Sequence, residues 1–545
     1  MPRPCPRHFM GILSVAVSVV FWATAGIACT NLLVGPDASS IGSTFVTYSC
    51  DGGVFSAIRI EPARIHAPGS FVDILGEPPF GTLQDAALAE VIGTVPQPLR
   101  TARYLDVLAG PAYAHVGGMN EYGVAIAETT LLGAREELTN PLGLLAPFAG
   151  QPERSLMTLA LQRATTAREA VTIIGSLAEE YGYHSLYPLD GEQFAISDGR
   201  EVWSMEIFGP GPDWTPTSGQ PGAVWCAQRV PDNHVGVSAN RSRIGEIDLE
   251  NPDFFLASSN VMSLAATMGW WDPDAGDPFV WYAAYAPTDS AYCSIREWRA
   301  LDLVAPSHAL PLEDGRFPFS VPVDKPLGVD DVMAVQRDML EGTVYDVTED
   351  PMFSNRGFAL ACPMCAPSYY ELLDLSPQRT INSRYASHTC LFQAHDEWPA
   401  AVRGCTWFGF GPAATTCYVP IYSGVTELPE DWGDETLQSY DQSAPFWTML
   451  LPGALAQIQW PSAYADIQQV RDPAERSFIE EQVLLVTRDG PLTHDQWAAE
   501  LNRYTTDRMR AVAVGFDALA SYLLAKYYTV AFDALAIERP TIALP

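Results

Sequence analysis

With 545 residues, of which 48% are hydrophobic and only 18% charged, the chain can bury a large core, and a disordered chain does not fit. A formal charge of −34 argues against nucleic-acid partners, because so acidic a surface repels phosphate. Length alone allows one large domain or two to three smaller ones.

The N-terminus begins with Arg3, Arg7 and His8, continues through an apolar run from Gly11 to Trp22, and ends in Ala23-Thr24-Ala25-Gly26-Ile27-Ala28. That is the layout of a secretory signal peptide over residues 1–28, with small residues before the cut. The apolar run is well short of the ~20 residues that span a bilayer. An exported protein, periplasmic or extracellular and without stable membrane insertion, is expected. Ten cysteines are present; setting aside Cys5 in the leader and Cys29 leaves an even set that suits disulfides in an oxidising compartment.

Beyond the leader, Thr30–Val34 and Thr44–Tyr48 are β-prone, separated by the turn residues Gly35-Pro36-Asp37 and followed by Asp51-Gly52-Gly53. Ala112–Thr130 reads as a hairpin with Asn120-Glu121-Tyr122-Gly123 at its tip. Leu156, Leu159 and Ala160, then Val171, Ile174, Leu177 and Ala178, recur at helical spacing, and Thr166 with Glu169 has the spacing of a capping box. Two hairpin-like pairs follow: Phe194–Ser197 with Val202–Ile207 across Asp198-Gly199, and Val224–Val230 with His234–Ala239 across Pro231-Asp232. Strands, paired helices and more strands predict sheets with helices on an outer face. Residues 300–350 form a Pro- and Asp-rich connector containing a helix over Val329–Leu340, and 466–536 reads as mainly helical.

Cys29 is the residue that a cut after Ala28 would expose. A cysteine there has three uses: structural, lipidated anchor, or nucleophile. Anchors usually have Leu or a similar residue three positions earlier, where this chain has Gly26. As an N-terminal residue, Cys29 would carry its own base, since a free α-amino group titrates near 7.7–8.0 and takes a thiol proton directly or through one water. Cys362-Pro363-Met364-Cys365 with His388 and Cys390 fits no zinc spacing, so no metal is expected. No phosphate-binding or serine-elbow motif occurs.

The stretch Cys29-Thr30-Asn31-Leu32-Leu33-Val34-Gly35, with Gly42-Ser43-Thr44 and Asp51, resembles the opening of the C69-type dipeptidases. These are N-terminal nucleophile hydrolases related to bile salt hydrolases and penicillin V acylases. Further similar segments follow in order: Met119–Ile126, Leu161–Ala164, Ala227–Asp232, Ala239–Ile244, Arg296–Arg299, and Thr406–Trp407 through Pro420. The resemblance covers most of the chain after Cys29 and is thin over 310–375.

The resemblance implies an α+β fold, a four-layer αββα N-terminal-nucleophile hydrolase sandwich over 29–465, with a mainly helical C-terminal extension over 466–545. It implies Cys29 as nucleophile, Asp51 orienting its amino group, Asn240 facing the oxyanion and Arg296 setting the electrostatics. Arg299 is the neighbouring alternative to Arg296. Ordinary structural roles stand beside each of these: a turn aspartate, a strand-end asparagine, a surface ion pair. Tyr48 departs from the pattern, standing where many members have an arginine that a phenol cannot replace as a charge at neutral pH. Tyr48, Asn120 at the hairpin tip, and Thr129 within Glu128-Thr129-Thr130 are the candidate substrate-binding residues. The implied activity is cofactor-free hydrolysis of short peptides through an acyl-enzyme, by a chain that could form homo-oligomers. The alternatives are an acylamide hydrolase and a non-catalytic surface lipoprotein acylated at Cys29.

Overall fold

Antiparallel strands with one wet face alternate apolar and polar residues; strands covered on both faces do not. Asn31–Val34, Thr44–Asp51, Val202–Phe208, Ala386–Ala394 and Gly404–Phe410 are buried along their whole length, so both faces of their sheets are covered. The computed structural model describes residues 29–52, 54–75, 91–110, 114–140, 142–147, 155–184, 190–288, 290–312, 315–349, 364, 378–433, 440–488, 490, 492–528 and 538–544. The leader segment 1–28 and the pair Cys362 and Cys365 lie outside the described residues.

Two antiparallel sheets dominate. A seven-stranded sheet runs in the order Ser320–Pro322, His234–Ser238, Asn31–Val34, Thr44–Asp51, Ala386–Ala394, Gly404–Phe410, Val419–Tyr422. An eight-stranded sheet runs Phe255–Ala257, Val224–Val230, Val202–Phe208, Asp190–Ser197, Ala125–Leu132, Ala114–Asn120, Tyr104–Ala109, Ser56–Glu61. Val46, Tyr48 and Cys50 from the first share one core with Val107, Val116, Ala127 and Ala195 from the second. The outer face of the eight-stranded sheet buries Phe194, Ile196, Trp203 and Met205 under the helices Leu156–Leu161 and Ala167–Tyr181. The second of these helices starts where the capping box predicts: Thr166 Oγ1 accepts from Glu169 N. Against the seven-stranded sheet lie the helices Ala291–Val304, Val329–Gln336, Pro445–Ala456, Trp460–Val486 and His494–Tyr528, with Phe446, Phe478, Leu501 and Phe516 closing over Phe408 and Phe410. The result is the expected αββα order.

Three expectations change. Val224–Val230 and His234–Ser238 are not a hairpin: the first pairs with Val202–Phe208 in one sheet, the second with Asn31–Val34 in the other. Pro231-Asp232 carries the chain between sheets, and the turn after the first strand clamps it, Asp37 N donating to Asp232 O at 2.8 Å. Gly35 is needed there, because a Cβ would collide with the Asp232 carbonyl. The boundary at 465 falls inside the helix Trp460–Val486, so the helical C-terminal part begins earlier, at Pro445, and its helices pack against the main core. Finally, the six described cysteines expected to pair are all buried free thiols: Cys50, Cys226, Cys390 and Cys405 in strands, Cys293 in a helix and Cys417 just before the last strand of the seven-stranded sheet, each a small apolar residue. No described helix is long and apolar enough to cross a membrane.

Candidate active site around Cys29

Cys29 lies two residues before the strand Asn31–Val34 of the seven-stranded sheet and is fully buried. Its Sγ lies 3.3 Å from Glu128 Oε1 and 3.5 Å from the Tyr48 hydroxyl. Tyr48, on the neighbouring strand Thr44–Asp51, donates to the same Glu128 oxygen. Asn31 Nδ2 donates to the Glu128 carbonyl at 3.0 Å, tying the strand after Cys29 to the facing sheet.

Behind the thiol, Arg296 gathers the main chain. From the helix Ala291–Val304 its Nη1 donates to Cys29 O at 2.8 Å and Thr30 Oγ1 at 2.9 Å, and its Nη2 to Ala239 O at 3.0 Å and Asn240 Oδ1 at 2.9 Å. Asn240 is left-handed, φ 67°, a conformation that asparagine tolerates better than most side-chain-bearing residues, and its Nδ2 donates to Thr130 O at 3.0 Å. One amide proton of Asn240 remains for another acceptor. The flanking Arg241 and Arg243 both grip Glu297, the residue after Arg296, at 2.9 and 2.7 Å. This buried clamp fixes Asn240 relative to Arg296. Arg299 points elsewhere, to Asp338 at 2.7 Å.

Asp51 ends its strand and pairs with Arg379. Burial raises its carboxyl to about 6, against the pull of Arg379 and Arg296. Burial likewise raises Glu128 to about 7, and the adjacent Glu192 carboxyl is pushed well up by burial and by Glu128. The Cys29 thiol is raised well above its ordinary value, first by burial and then by Glu128, Cys50 and Asp51. These influences hold the Cys29 side chain as a neutral thiol rather than a standing thiolate.

Cys29, Tyr48, Asp51, Asn240 and Arg296 thus form one cluster. Two predicted residues do not join it. Asn120 accepts from Tyr122 N and Val124 N and donates to Leu161 O and Ala164 O, so its amide is wholly engaged in closing the hairpin tip. The buried Thr129 turns its hydroxyl back onto the Glu128 carbonyl at 2.8 Å. Two others had no role assigned from the sequence. Glu128 was named only as part of the segment Glu128-Thr129-Thr130, and its signal is a carboxylate directly after the apolar run Ala125-Ile126-Ala127; Arg379 carries none, lying just past the segment of thin resemblance. Among the described residues no His, Cys, Asp or Glu group is arranged to hold a metal.

The raised Glu128 carboxyl has a consequence for stability. An acid whose folded pKa exceeds its unfolded value (~4.3) makes the protein less stable as pH rises between the two values, here from about 4.3 to about 7. Glu128→Gln, which still accepts from Tyr48, is expected to flatten that decline and to stabilise the protein at pH 8 by roughly 1–3 kcal/mol. Urea unfolding at pH 5 and pH 8 measures the difference.

The profile of Peptidase family C69 matches residues 28–472. Dipeptidase A of Lactobacillus helveticus is 24% identical over 441 residues, spanning 79% of this chain and 82% of its own. The probable dipeptidase B of Lactococcus lactis subsp. lactis is 26% identical over 434 residues, spanning 77% and 79%. Penicillin V acylase from Agrobacterium tumefaciens aligns over 72% of this chain and 86% of its own with 13% identity and a TM-score of 0.30, too loose a likeness to bear further weight. With its profile matched from just before Cys29 to beyond the last strand of the seven-stranded sheet, the chain belongs to peptidase family C69.

Proposed function

We propose that the chain is an exported cysteine dipeptidase whose nucleophile is Cys29, freed as the N-terminal residue by removal of residues 1–28. The reading is carried by the junction of a buried thiol with the Arg296–Asn240 network, which grips the backbone of the nucleophile itself. Membership of family C69 and dipeptidase-named relatives support peptides as substrates.

In this reading the free α-amino group takes the thiol proton and Sγ attacks the peptide carbonyl. The remaining Asn240 amide proton, with backbone N–H groups, stabilises the oxyanion. The amine then protonates the leaving group, and water releases the acyl-enzyme. Glu128 and Tyr48 orient the sulfur. Intact-mass measurement and N-terminal sequencing of the exported protein test the premise. A free Cys29 is expected; a lipidated Cys29 or a different first residue removes both nucleophile and base. A panel of dipeptides and long-chain acyl amines tests the substrate class, and preference for the acyl amines would overturn the dipeptidase assignment.

Asn240→Gly keeps the left-handed backbone while deleting the amide. It is expected to lower kcat by about 100- to 1,000-fold with KM changed far less. Steady-state kinetics on one dipeptide decides, and an equal loss in KM alone would point to ground-state binding instead.

A further inference from the structure

Arg296 is fully committed: its two terminal nitrogens serve four acceptors and its Nε the Tyr292 carbonyl at 3.2 Å, and Asp51 is not among its partners. Position 48 offers a neutral phenol that itself donates to Glu128. The guanidinium that meets Asp51 comes instead from Arg379, in an ion pair whose side chains are 15% and 3% exposed.

The segment bearing Arg379 is firmly held. Ala386 lies opposite Asp51 in the sheet, and Gly52 N donates to Tyr385 O at 3.1 Å. Asn382 N donates to Asp338 O at 3.0 Å, Ala414 N donates to Asn382 Oδ1 at 2.9 Å, and the Asp338 carboxylate is in turn gripped by Arg299. The strand register therefore delivers Arg379 to the end of Thr44–Asp51, next to the nucleophile.

We infer that Arg379 is a positioning residue for the hydrolysis, holding the Asp51 carboxylate charged and oriented toward the amino group of a processed Cys29. The inference rests on the Cys29 reading. Groups acting on or near Asp51 are the cations Arg379 and Arg296 and the acidic or thiol groups Glu128, Cys29 and Cys50. Arg379 is the larger of the two cationic influences on Asp51, and its field also reaches Cys29. Burial without that cation drives the carboxyl further up, so Asp51 would protonate at higher pH and release the amino group.

The experiment follows Cys29 alkylation by iodoacetamide and kcat/KM for a dipeptide, both against pH, on the processed protein. Arg379→Gln is expected to move the acid limb of both profiles upward by about one unit, an approximately tenfold loss at a pH on that limb. Arg379→Lys, which keeps a cation but not the planar fork, is expected to shift it by less. Limbs coincident with wild type in the folded Gln variant overturn the inference. If Arg379→Gln does not fold, Arg379→Lys decides alone: an upward shift upholds the inference and a coincident limb overturns it. Failure of the Cys29 reading shows separately, as turnover surviving Cys29→Ala, while the alkylation profile still reports on Arg379.

Discussion

Cys29→Ala is expected to reduce amide turnover by roughly 10,000-fold or more while leaving a folded protein, because losing the nucleophile of a covalent mechanism removes the reaction path. The structural cost is small by comparison. The substitution removes one buried sulfur, about 1–2 kcal/mol, from a core shared with Leu33, Val46 and Tyr48. It leaves the Cys29 carbonyl in place for Arg296. Initial rates on a dipeptide, measured beside urea unfolding, separate the two effects. Turnover within tenfold of wild type in a folded variant would refute the nucleophile.

Arg296→Ala is expected to damage both stability and activity. Four acceptors lose their donor at once, three of them on Cys29, Ala239 and Asn240. Buried polar groups left unsatisfied cost about 1–3 kcal/mol each, with partial relief by entering water. A net loss of about 3–5 kcal/mol is expected. Arg296→Lys is expected to recover only a minor part, since an ammonium cannot reproduce the planar fork that bridges Cys29 to Asn240. Chemical denaturation and kcat/KM on the same samples give both readings. A stability within about 1 kcal/mol of wild type would show that the network is dispensable.

The parts of this fold legible in the sequence are local. Thr30–Val34 and Thr44–Tyr48 read as strands from β-branched and aromatic residues bounded by turns, the second running on to Asp51 in the structure, and Thr166 with Glu169 marked a helix start that the structure reproduces. Asp198-Gly199 was legible because one turn joins adjacent strands of one sheet. Pro231-Asp232 looks alike in sequence, yet its strands part, because the choice between sheets is made by distant partners such as Asn31–Val34. The site divides in the same way. Cys29, Asp51, Asn240 and Arg296 could be named from ordered similar segments, but not the clamp of Arg241 and Arg243 on Glu297 that relates two of them. Asn120 stands apart from the Cys29 cluster with its amide saturated by the backbone, and in sequence such a hairpin-tip asparagine looks the same as one facing a ligand. Glu128 and Arg379 matter through burial and pairing across the fold, which residue type alone does not encode.

The first strand has its own bearing on how the molecule is made. Asn31–Val34 lies between Thr44–Asp51, its near neighbour in sequence, and His234–Ser238, while the Cys29 carbonyl is bound by a side chain 267 positions along. Wherever the chain folds, the edge of that strand facing His234–Ser238 stays unpaired until a partner about two hundred residues away reaches it, which makes assembly slow and exposes a sticky edge to neighbouring chains. The Cys29 thiol therefore acquires the Arg296 side of its surroundings from the middle of the chain, and a chain cut short of that helix carries the thiol without the network that grips its backbone.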